Sequence, residues 1–381
     1  MARLGDVCTF QSGGTPSRSN SAYFDGTIPW ITTVALNGSA IDEDSAVEWI
    51  TDLAISESAA KIVPANSIMV GTRVGVGKVA INKVSMSTSQ DIISLLCIDE
   101  IQWYKPFLCK FILAMGDYLN SQARGATIKG IKIDVLAALE LPDMPIDQQR
   151  IIATVFDKIE ALLSLRKQQL AKLDELVKSR FIELFGDVAS CPKYGGVALG
   201  TICTTLSGGT PTTKVPEHYD GDIPWISTPY LGSNHINGSS AKAYITEDAI
   251  KNSATNLIPA NTIMFGIRVG VGKSSIIDEP MCANQDIVAL MGIDTNKYNL
   301  LFVKHVLDAY QSHFDSIKKG ATILGITTED LKKVLVPTVD IDLQNQFAAF
   351  VEQTDKSKFA VQQSIDQLEM LKKSLMQKYF G

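Results

Sequence analysis

The chain has 381 residues, 45% of them hydrophobic and 20% charged, a composition typical of globular proteins and not of disordered ones. Its 35 basic and 41 acidic side chains give a net charge of −6, which by itself argues against a basic nucleic-acid-binding domain. No apolar run approaches the roughly 18 residues of a membrane span, and the N-terminus lacks the apolar core of a secretory signal. Because none of the six cysteines is in a CxxC pair, we expect no zinc ribbon and a cytoplasmic protein with reduced thiols.

The first 145 residues are predicted to mix strands and helices. Short β-branched runs at 62–63, 67–70 and 91–96 predict strands, and loops rich in Gly, Asn and Asp separate them. Residues 103–119 predict one helix. This portion is therefore expected to be a mixed α/β domain.

A long helix is predicted over 146–186. Its apolar residues recur at alternating three- and four-residue steps, interrupted by Arg166 and Arg180, which is the pattern of a coiled coil. The predicted interface positions are Ile152, Phe156, Ile159, Leu163, Leu170, Leu173, Val177 and Leu184. One such helix cannot bury its apolar stripe alone, so it must pack against another part of the protein.

The second half of the chain repeats the first at an offset of 195 residues. SGGTP at 12–16 recurs at 207–211, RVGVGK at 73–78 recurs at 268–273, and Phe185-Gly186 maps onto Phe380-Gly381. The second helix is predicted over 341–381, with the interface positions Phe347, Val351, Val361, Ile365, Leu368, Leu375 and Tyr379. Such long repeats are two copies of a whole module and not solenoid units.

The duplication predicts four segments. They are a globular domain at 1–145, a helix at 146–186, a second globular domain at 187–340 that starts with a linker at 187–195, and a helix at 341–381. The fold class is therefore mixed α/β in tandem, with the two helices paired as an antiparallel coiled coil of pseudo-two-fold symmetry. The alternative is that each helix packs only on its own globular domain.

Enzyme motifs fail in both copies. RVGVGK is not a P-loop, because Thr72 and Ile267 stand where the first glycine of that motif is required. A strand, a glycine turn and a second strand explain it better. The histidines all lie in the second copy, which excludes a duplicated histidine or metal chemistry, and no hydrolase or metalloprotease motif is present. We expect a protein with no catalytic residue, no metal and no cofactor of its own.

The features shared by both copies suit binding. Glycine-rich loops offer hydroxyl and amide donors beside Arg and Lys, groups that typically contact phosphates and base edges. The same loops are equally compatible with a scaffold role. The candidate binding residues are Gly14, Thr15, Ser17, Thr32, Thr33, Arg73, Lys78, Gln90, Arg124, Thr127 and Lys129 in the first copy, and Gly209, Thr210, Thr212, Ser227, Thr228, Arg268, Lys273, Gln285, Lys318, Lys319 and Thr322 in the second.

With these landmarks the chain resembles the specificity subunit of type I restriction–modification enzymes over essentially its whole length. SGGTP, the IPWI segments, RVGVGK, QDI and the two long helices that begin at IDQQR and IDLQN carry the resemblance. It implies that each globular domain is a target recognition domain for one half of a split double-stranded DNA site. It also implies that the helices set the half-site spacing and dock two modification subunits, to which restriction subunits join. S-adenosylmethionine, ATP and Mg²⁺ would then be bound by these partners.

The resemblance implies a different kind of DNA contact for each group of candidate residues. Arg73, Lys78, Arg268 and Lys273 are expected to contact phosphate or guanine, and Gln90 and Gln285 an adenine edge, or to serve structural hydrogen bonds.

Alternative functions are the recognition subunit of a related enzyme that cuts on both sides of its site, a coiled-coil scaffold that binds no DNA, and a phosphate-binding enzyme built on RVGVGK. The globular portions carry the acidic excess, 11 basic against 15 acidic side chains in 1–145, so we expect the lone subunit to bind DNA weakly.

Overall fold

The computed structural model describes residues 2–125, 127, 129–320 and 324–381. The chain divides into two compact units, residues 1–167 with 362–381 and residues 168–361, and each is described by itself. Each unit therefore holds most of one sequence copy together with the C-terminal end of the other copy's long helix. In the described part of the chain, no helix is long and apolar enough to cross a membrane.

The globular part of the first unit alternates short strands with short helices. In chain order its elements are α1 (Leu4–Val7), β1 (Thr9–Ser12), β2 (Phe24–Ile31), β3 (Ala40–Ile41), β4 (Glu48–Ile50), α2 (Asp52–Glu57), β5 (Ile62–Val63), β6 (Ile68–Gly71), β7 (Val79–Asn82), β8 (Met86–Thr88), β9 (Ile92–Leu96), α3 (Lys105–Ala114), α4 (Gly116–Gln122) and α5 (Ile133–Ala137). The strands predicted from the β-branched runs are confirmed as β5, β6 and β9.

Two sheets form the framework of this unit. Strands β1-β9-β6-β7-β3 make a five-stranded sheet, and β4-β2-β8-β5 make a four-stranded sheet. Alternation along β6 divides its side chains between two cores, because Ile68 and Val70 pack toward α3 whereas Met69 packs against residues of the second sheet. The five-stranded sheet is thus covered on both faces, which explains why β6 is buried along its whole length.

The single helix predicted over 103–119 is wrong, because it is two helices. The first, α3, ends at Ala114, and α4 begins at Gly116 after a change of direction at Met115. The second copy breaks at the equivalent place, Tyr310, between Ala309 and Gln311, so the break does not depend on a glycine. The break brings α4 onto the β6–β7 turn, where the Asn120 amide donates to the Val76 carbonyl at 3.2 Å.

The second unit repeats this plan. After the first long helix, α6 (Ile146–Phe185), its elements are β10 (Gly186–Asp187), β11 (Cys191–Pro192), β12 (Gly196–Ala198), α7 (Leu199–Ile202), β13 (Thr204–Ser207), β14 (Ile223–Ile226), β15 (His235–Ile236), β16 (Ala243–Ile245), α8 (Glu247–Lys251), β17 (Thr262–Gly266), β18 (Ser274–Ile277), β19 (Cys282–Ala283), β20 (Ile287–Met291), α9 (Leu300–Ala309), α10 (Gln311–Ile317), α11 (Thr328–Lys332) and β21 (Leu335–Pro337), followed by the second long helix α12 (Ile341–Phe380). Strands β13-β20-β17-β18-β15 form its five-stranded sheet and β16-β14-β19 its smaller one.

The long helices α6 and α12 pair antiparallel, as predicted. In the first unit the end of α12 meets the start of α6, where the rings of Phe380 and Phe156 stack at 5.8 Å. In the second unit the end of α6 meets the start of α12, with the ring centroids of Phe185 and Phe347 5.6 Å apart. Phe380 also packs on Phe107 of α3 at 5.3 Å. The alternative of helices packed only on their own globular domains is therefore excluded.

The predicted interface positions face this packing. The fully buried members of the two stripes are Ile152, Phe156, Ile159, Val177, Phe347, Val351, Val361 and Ile365. Leu163 is at the limit of burial, whereas Leu170, Leu173, Leu368 and Leu375 are half-buried. The mixed α/β fold with paired long helices is confirmed.

A cluster of charges is built into the helix packing of the first unit. Lys110 of α3 has a side chain only 3% exposed, and its ammonium lies 2.6 Å from Glu160 and 3.0 Å from Asp157 of α6. Lys372 of α12 reaches the same Glu160 at 2.9 Å. The hydrogen bonds from both lysines outweigh the effect of burial and hold the pKa of Glu160 below its usual value.

Candidate nucleic-acid interface

The candidate binding loops of the first copy meet at one edge of its sheets. Strand register places Ser12 opposite Ile93, and Gly71 opposite Ile92. Strand β2 runs parallel to β8 with Ile31 beside Thr88, so their ends lie at the same edge. Four loops therefore emerge together, at 13–17, 32–33, 72–78 and 89–91, and we name this set the loop edge. The corresponding loops of the second copy are 208–212, 227–228, 267–273 and 284–286.

The glycines of SGGTP hold the loop edge together and do not offer free amides. The amide of Gly14 donates to the Thr88 carbonyl at 2.9 Å, and the indole of Trp30 donates to the Gly14 carbonyl at 3.0 Å. Gly209 is bonded in the same way to Ala283 and Trp225. Gly14 and Gly209 are buried, so the expectation that they contact a ligand is corrected.

The β6–β7 turn presents Arg73 and Lys78 to solvent. Its glycines adopt left-handed backbone angles, with φ of 74° at Gly75 and 83° at Gly77. The absence of a side chain at Gly75 leaves room for the Lys78 chain, since a Cβ there would lie 2.8 Å from its Cδ. The amide of Gly77 is used within the turn, donating to the Gly71 carbonyl at 3.0 Å. The turn is thus a hairpin that displays two cations and not a phosphate-cradling loop, as the sequence predicted.

Arg73 is held at the edge by a loose ion pair. Its guanidinium lies 3.9 Å from the Asp91 carboxylate, and its side chain remains 55% exposed. Arg268 has the same relation to Asp286 at 3.6 Å, with 53% of its side chain exposed. Exposed ion pairs of this kind are weak, so each carboxylate orients its arginine while the guanidinium remains available to bind a ligand.

A further basic loop joins the edge from a distant part of the chain. Arg124 and Gly130 form a two-residue antiparallel bridge, and the Ile131 amide donates to the Thr72 carbonyl at 2.8 Å. In the second copy Lys319 bridges Gly325, and the Ile326 amide donates to the Ile267 carbonyl at 2.8 Å. These bonds attach Gly130 and Ile131 of the first copy, and Gly325 and Ile326 of the second, to the segments that carry Arg73 and Arg268.

In the first unit this docking makes a groove of about 590 Å³. Its lining residues are Arg73, Gln122, Arg124, Gly130, Ile131, Lys132, Asp134 and Val135. Sequence comparison missed Lys132, because Thr327 stands at its position in the second copy. Lys132 could have been identified from the sequence by its position close to Arg124 and Lys129. Lys129 and Thr127 are exposed, whereas Thr322 lies outside the described residues.

The remaining candidates divide by accessibility. Exposed members are Thr15, Ser17, Gln90, Thr210, Thr212, Gln285 and Lys319, while Thr32, Ser227 and Lys318 are half-buried. Gln285 and Thr210 hydrogen-bond each other across the edge, and Lys318 pairs with Asp315 at 2.5 Å. Lys318 is therefore partly committed within the protein.

Thr33 and Thr228 are corrected as candidates. Their exposures are 4% and 1%, because each begins a tight turn and packs its methyl group against the glycine strand behind it. A Cβ at Gly71 would lie 3.5 Å from the Thr33 methyl, and one at Gly266 would lie 2.5 Å from that of Thr228. These threonines hold the edge in place.

A second cavity, of about 1430 Å³, is lined in the second unit by α9, the start of α10 and the long helices. Its charges pair with one another, Lys304 with Asp308 at 2.8 Å and Lys358 with Asp174 at 2.6 Å. Among the described residues, no group of three or more His, Cys, Asp or Glu could hold a metal ion.

Comparison with known proteins identifies the repeated module. A model of the type I restriction modification DNA specificity domain matches residues 1–175 and again 193–370. The chain is 28% identical over 227 residues to the EcoR124I/EcoR124II specificity subunit of Escherichia coli, covering 56% of this chain and 53% of that protein. It is 26% identical over 283 residues to the MjaIX specificity subunit of Methanocaldococcus jannaschii, covering 70% and 65%. The match thus spans about half to two thirds of these curated relatives.

Solved structures share the fold along the full chain. The S subunit of a type I restriction–modification system from M. genitalium superposes with a TM-score of 0.58 at 16% identity, covering 100% of this chain and 95% of that one. A chain from a study of complex assembly and conformational transition in the type I system gives a TM-score of 0.64 at 17% identity, covering 100% and 96%. At these identities the likeness concerns the fold alone.

Proposed function

The chain belongs to the type I restriction–modification DNA specificity family, and we propose that each of its two copies recognises one half of a split double-stranded DNA site. In this role residues 1–145 and 187–340 are the target recognition domains, 187–195 is the linker of the second, and 146–186 and 341–381 are spacer helices. The subunit performs no chemistry itself. The observation that carries the proposal is the loop edge, which presents an exposed arginine and lysine at equivalent places in both copies.

The loop edge suits DNA because its cations are held in place but remain available. Arg73 is more than half exposed, and a phosphate or guanine would replace the weak attraction of Asp91 by a shorter, charge-assisted bond. Arg124 and Lys132 line the same groove and extend the positive surface. Residues that differ between the copies, such as 17–24 against 212–219, would give the two half-sites different sequences.

The long helices are proposed to set the half-site spacing and to dock two modification subunits. Their packed stripe leaves other large apolar side chains in solvent, including Ile151 at 64%, Leu165 at 60% and Met370 at 73% exposure. Apolar surface of this kind indicates a protein partner. The modification subunits would supply S-adenosylmethionine, and restriction subunits ATP and Mg²⁺, in the cytoplasm, where DNA is accessible.

The test uses the complex reconstituted with its methyltransferase and a randomised DNA library. We expect methylation at a split sequence with an unspecific gap, and a continuous recognition sequence would contradict the proposal. Arg73→Ala should relax specificity in one half-site and Arg268→Ala in the other, each costing about 1–3 kcal/mol at the affected base pair. If both variants changed the same half-site, the assignment of one half-site to each copy would be wrong.

A matched pair of lysines separates contact from net charge. Lys78 precedes strand β7 at the loop edge, whereas Lys83 follows the same strand at its opposite end. Both are exposed, so Lys78→Ala and Lys83→Ala remove the same charge. The first should weaken DNA binding and lower the salt-dependence slope by about 1, and the second should leave both unchanged. A protein scaffold without DNA affinity would shift no DNA, with or without the methyltransferase.

A further inference from the structure

Two cysteines of the first unit lie next to the last residue pair of strands β1 and β9, at the end of the sheet remote from the loop edge. The strands pair antiparallel as far as Thr9 opposite Leu96, and Cys8 and Cys97 are the residues directly beyond this pair on the two strands. In the second copy the corresponding residues are Cys203 and Gly292. The two neighbouring thiols therefore belong to the first copy alone.

Backbone pairing fixes the two strands up to these cysteines. The Gly13 amide donates to the Ile92 carbonyl at 3.0 Å at the loop edge, and four residue pairs follow, from Ser12 with Ile93 to Thr9 with Leu96. Opposed Cα atoms of an antiparallel ladder lie about 4.5–5.5 Å apart, and a disulfide spans about 4.4–6.8 Å. The residues directly beyond the Thr9–Leu96 pair are therefore within reach of a disulfide when the left-handed residue Cys97 keeps the chain beside β1.

The surroundings of the thiols give them different reactivity. Cys97 is exposed and has a left-handed φ of 56°, a conformation that Gly292 adopts in the second copy with φ of 76°. Cys8 is half-buried, and its thiol donates to the Leu4 carbonyl at 3.2 Å. Burial, with a further contribution from the nearby Cys97 thiolate, raises the pKa of Cys8 to about 12. Cys97 is thus the thiol that an oxidant in solution reaches first.

We propose that Cys8 and Cys97 form a redox modification site, which a peroxide converts into a reversible cross-strand disulfide. The Cys97 thiolate attacks one peroxide oxygen and becomes a sulfenic acid as hydroxide leaves. The Cys8 sulfur then attacks the Cys97 sulfur, the S–S bond forms, and the sulfenic hydroxyl departs as water with the Cys8 proton. Two thiols lose two electrons and two protons in total, and hydrogen peroxide is reduced to two molecules of water.

The bond would tether the two strands that carry the loop edge of the first copy. Strand β1 leads directly into Gly13 and Gly14, and β9 starts directly after Gln90 and Asp91. The tether lies within the first unit, so its effect on the second copy's loops should be nil. Oxidation would therefore cross-link the strands of one recognition portion, whereas the corresponding strands of the other, with Gly292 in place of Cys97, have no second thiol to link.

The test treats the reduced full chain with hydrogen peroxide, alkylates the free thiols and maps the peptides by mass spectrometry. We expect a Cys8–Cys97 linked peptide, lighter by about 2 Da than the two reduced peptides together and lost on reduction by dithiothreitol. Cys191 is also exposed and serves as an internal measure of oxidant dose.

Two variants keep the outcome unambiguous. Cys97→Gly introduces the residue that the second copy has at this position and removes the strain of a left-handed residue with a side chain, so this variant should fold. Without Cys97 as a partner, Cys8 should remain alkylatable after oxidation. Cys8→Ser should instead let Cys97 proceed to sulfinic acid, a gain of about 32 Da. The proposal is overturned if the native chain itself gives this sulfinic product, if Cys97 links to Cys191, or if both thiols remain alkylatable while Cys191 is oxidised.

Discussion

The buried lysine of the first unit provides the sharpest test of the helix packing. Lys110 has 3% of its side chain exposed and binds Glu160 and Asp157, so Lys110→Met removes the charge and preserves most of the volume. Breaking a fully buried ion pair costs about 3–5 kcal/mol, because the remaining charge is left uncompensated. Here Glu160 and Asp157 are 29% and 59% exposed, and Glu160 keeps Lys372 at 2.9 Å. We therefore expect a loss of about 1–3 kcal/mol in the free energy of unfolding.

The assay is urea unfolding followed by tryptophan fluorescence. Three of the four tryptophans, Trp30, Trp49 and Trp103, belong to the first unit, so the signal reports mainly on it. The matched control is Lys167→Met, since Lys167 and its partner Glu369 lie 3.5 Å apart with 62% and 55% exposure. This pair should contribute about 0–1 kcal/mol. Equal losses of unfolding free energy in Lys110→Met and Lys167→Met would refute the reasoning.

The pH dependence of the same cluster checks its electrostatic origin. The pKa of Glu160 is lowered from its ordinary value of 4.5, so its contribution is present above pH 4.5 and is lost as the pH falls through the folded-state value. The bonds to the two carboxylates outweigh the desolvation of Lys110 and raise its pKa from 10.5. The stabilisation from Lys110 is therefore fully present below pH 10.5 and is lost only as the pH rises through its folded-state pKa. The difference between native protein and Lys110→Met should therefore shrink in acid, and a difference that is constant between pH 7 and pH 3 would indicate lost packing instead.

Three further perturbations test other parts of the structure. Burial lowers the pKa of His305 from 6.5 to about 4, so the second unit should lose up to roughly 3 kcal/mol as the pH falls from 6.5 toward 4. In pH-dependent unfolding, His305→Gln should flatten this slope and the exposed His313→Gln should not. Gly77→Ala should cost about 1–2 kcal/mol, measured by urea unfolding, because φ is 83° and a Cβ would lie 3.1 Å from the Gly116 backbone. Phe380→Ala should cost about 2–4 kcal/mol in the same assay because its 7%-exposed ring packs on three others, whereas Phe359→Ala, 66% exposed, should change stability little.

Local sequence patterns were sufficient to predict most strands and the long helices of the fold. The β-branched runs of β6 and β9 and the apolar period of α6 lie within short windows of sequence, and the duplication is found by comparing such windows 195 residues apart. Such patterns record which face of an element is buried, and that is a local property of the chain. The helix break at Met115 escaped prediction because the apolar pattern continues across it, and only the packing of α4 on the β6–β7 turn requires it.

The candidate interface was predicted in composition but not in accessibility. Arg73 and Lys78 were identified from their place beside glycines, and both are exposed. Thr33 was selected for its hydroxyl and Gly14 for its amide, yet the first is buried and the second bonded to Thr88. A residue type shows what a group can bond, whereas its neighbours in space determine whether that group is already bonded.

The sequence by itself determined the duplication, the alternation of globular portions and long helices, and the family resemblance, because each is read from short motifs and from their spacing along the chain. Only the tertiary structure decided which distant residues meet. The bond from Ile131 to Thr72 brings Arg124 and Arg73 to one groove, and the β1–β9 register brings Cys8 and Cys97 to the same end of one strand pair. The physical reason is that strand register and loop docking depend on hydrogen bonds between segments far apart in sequence, and no local periodicity encodes these bonds.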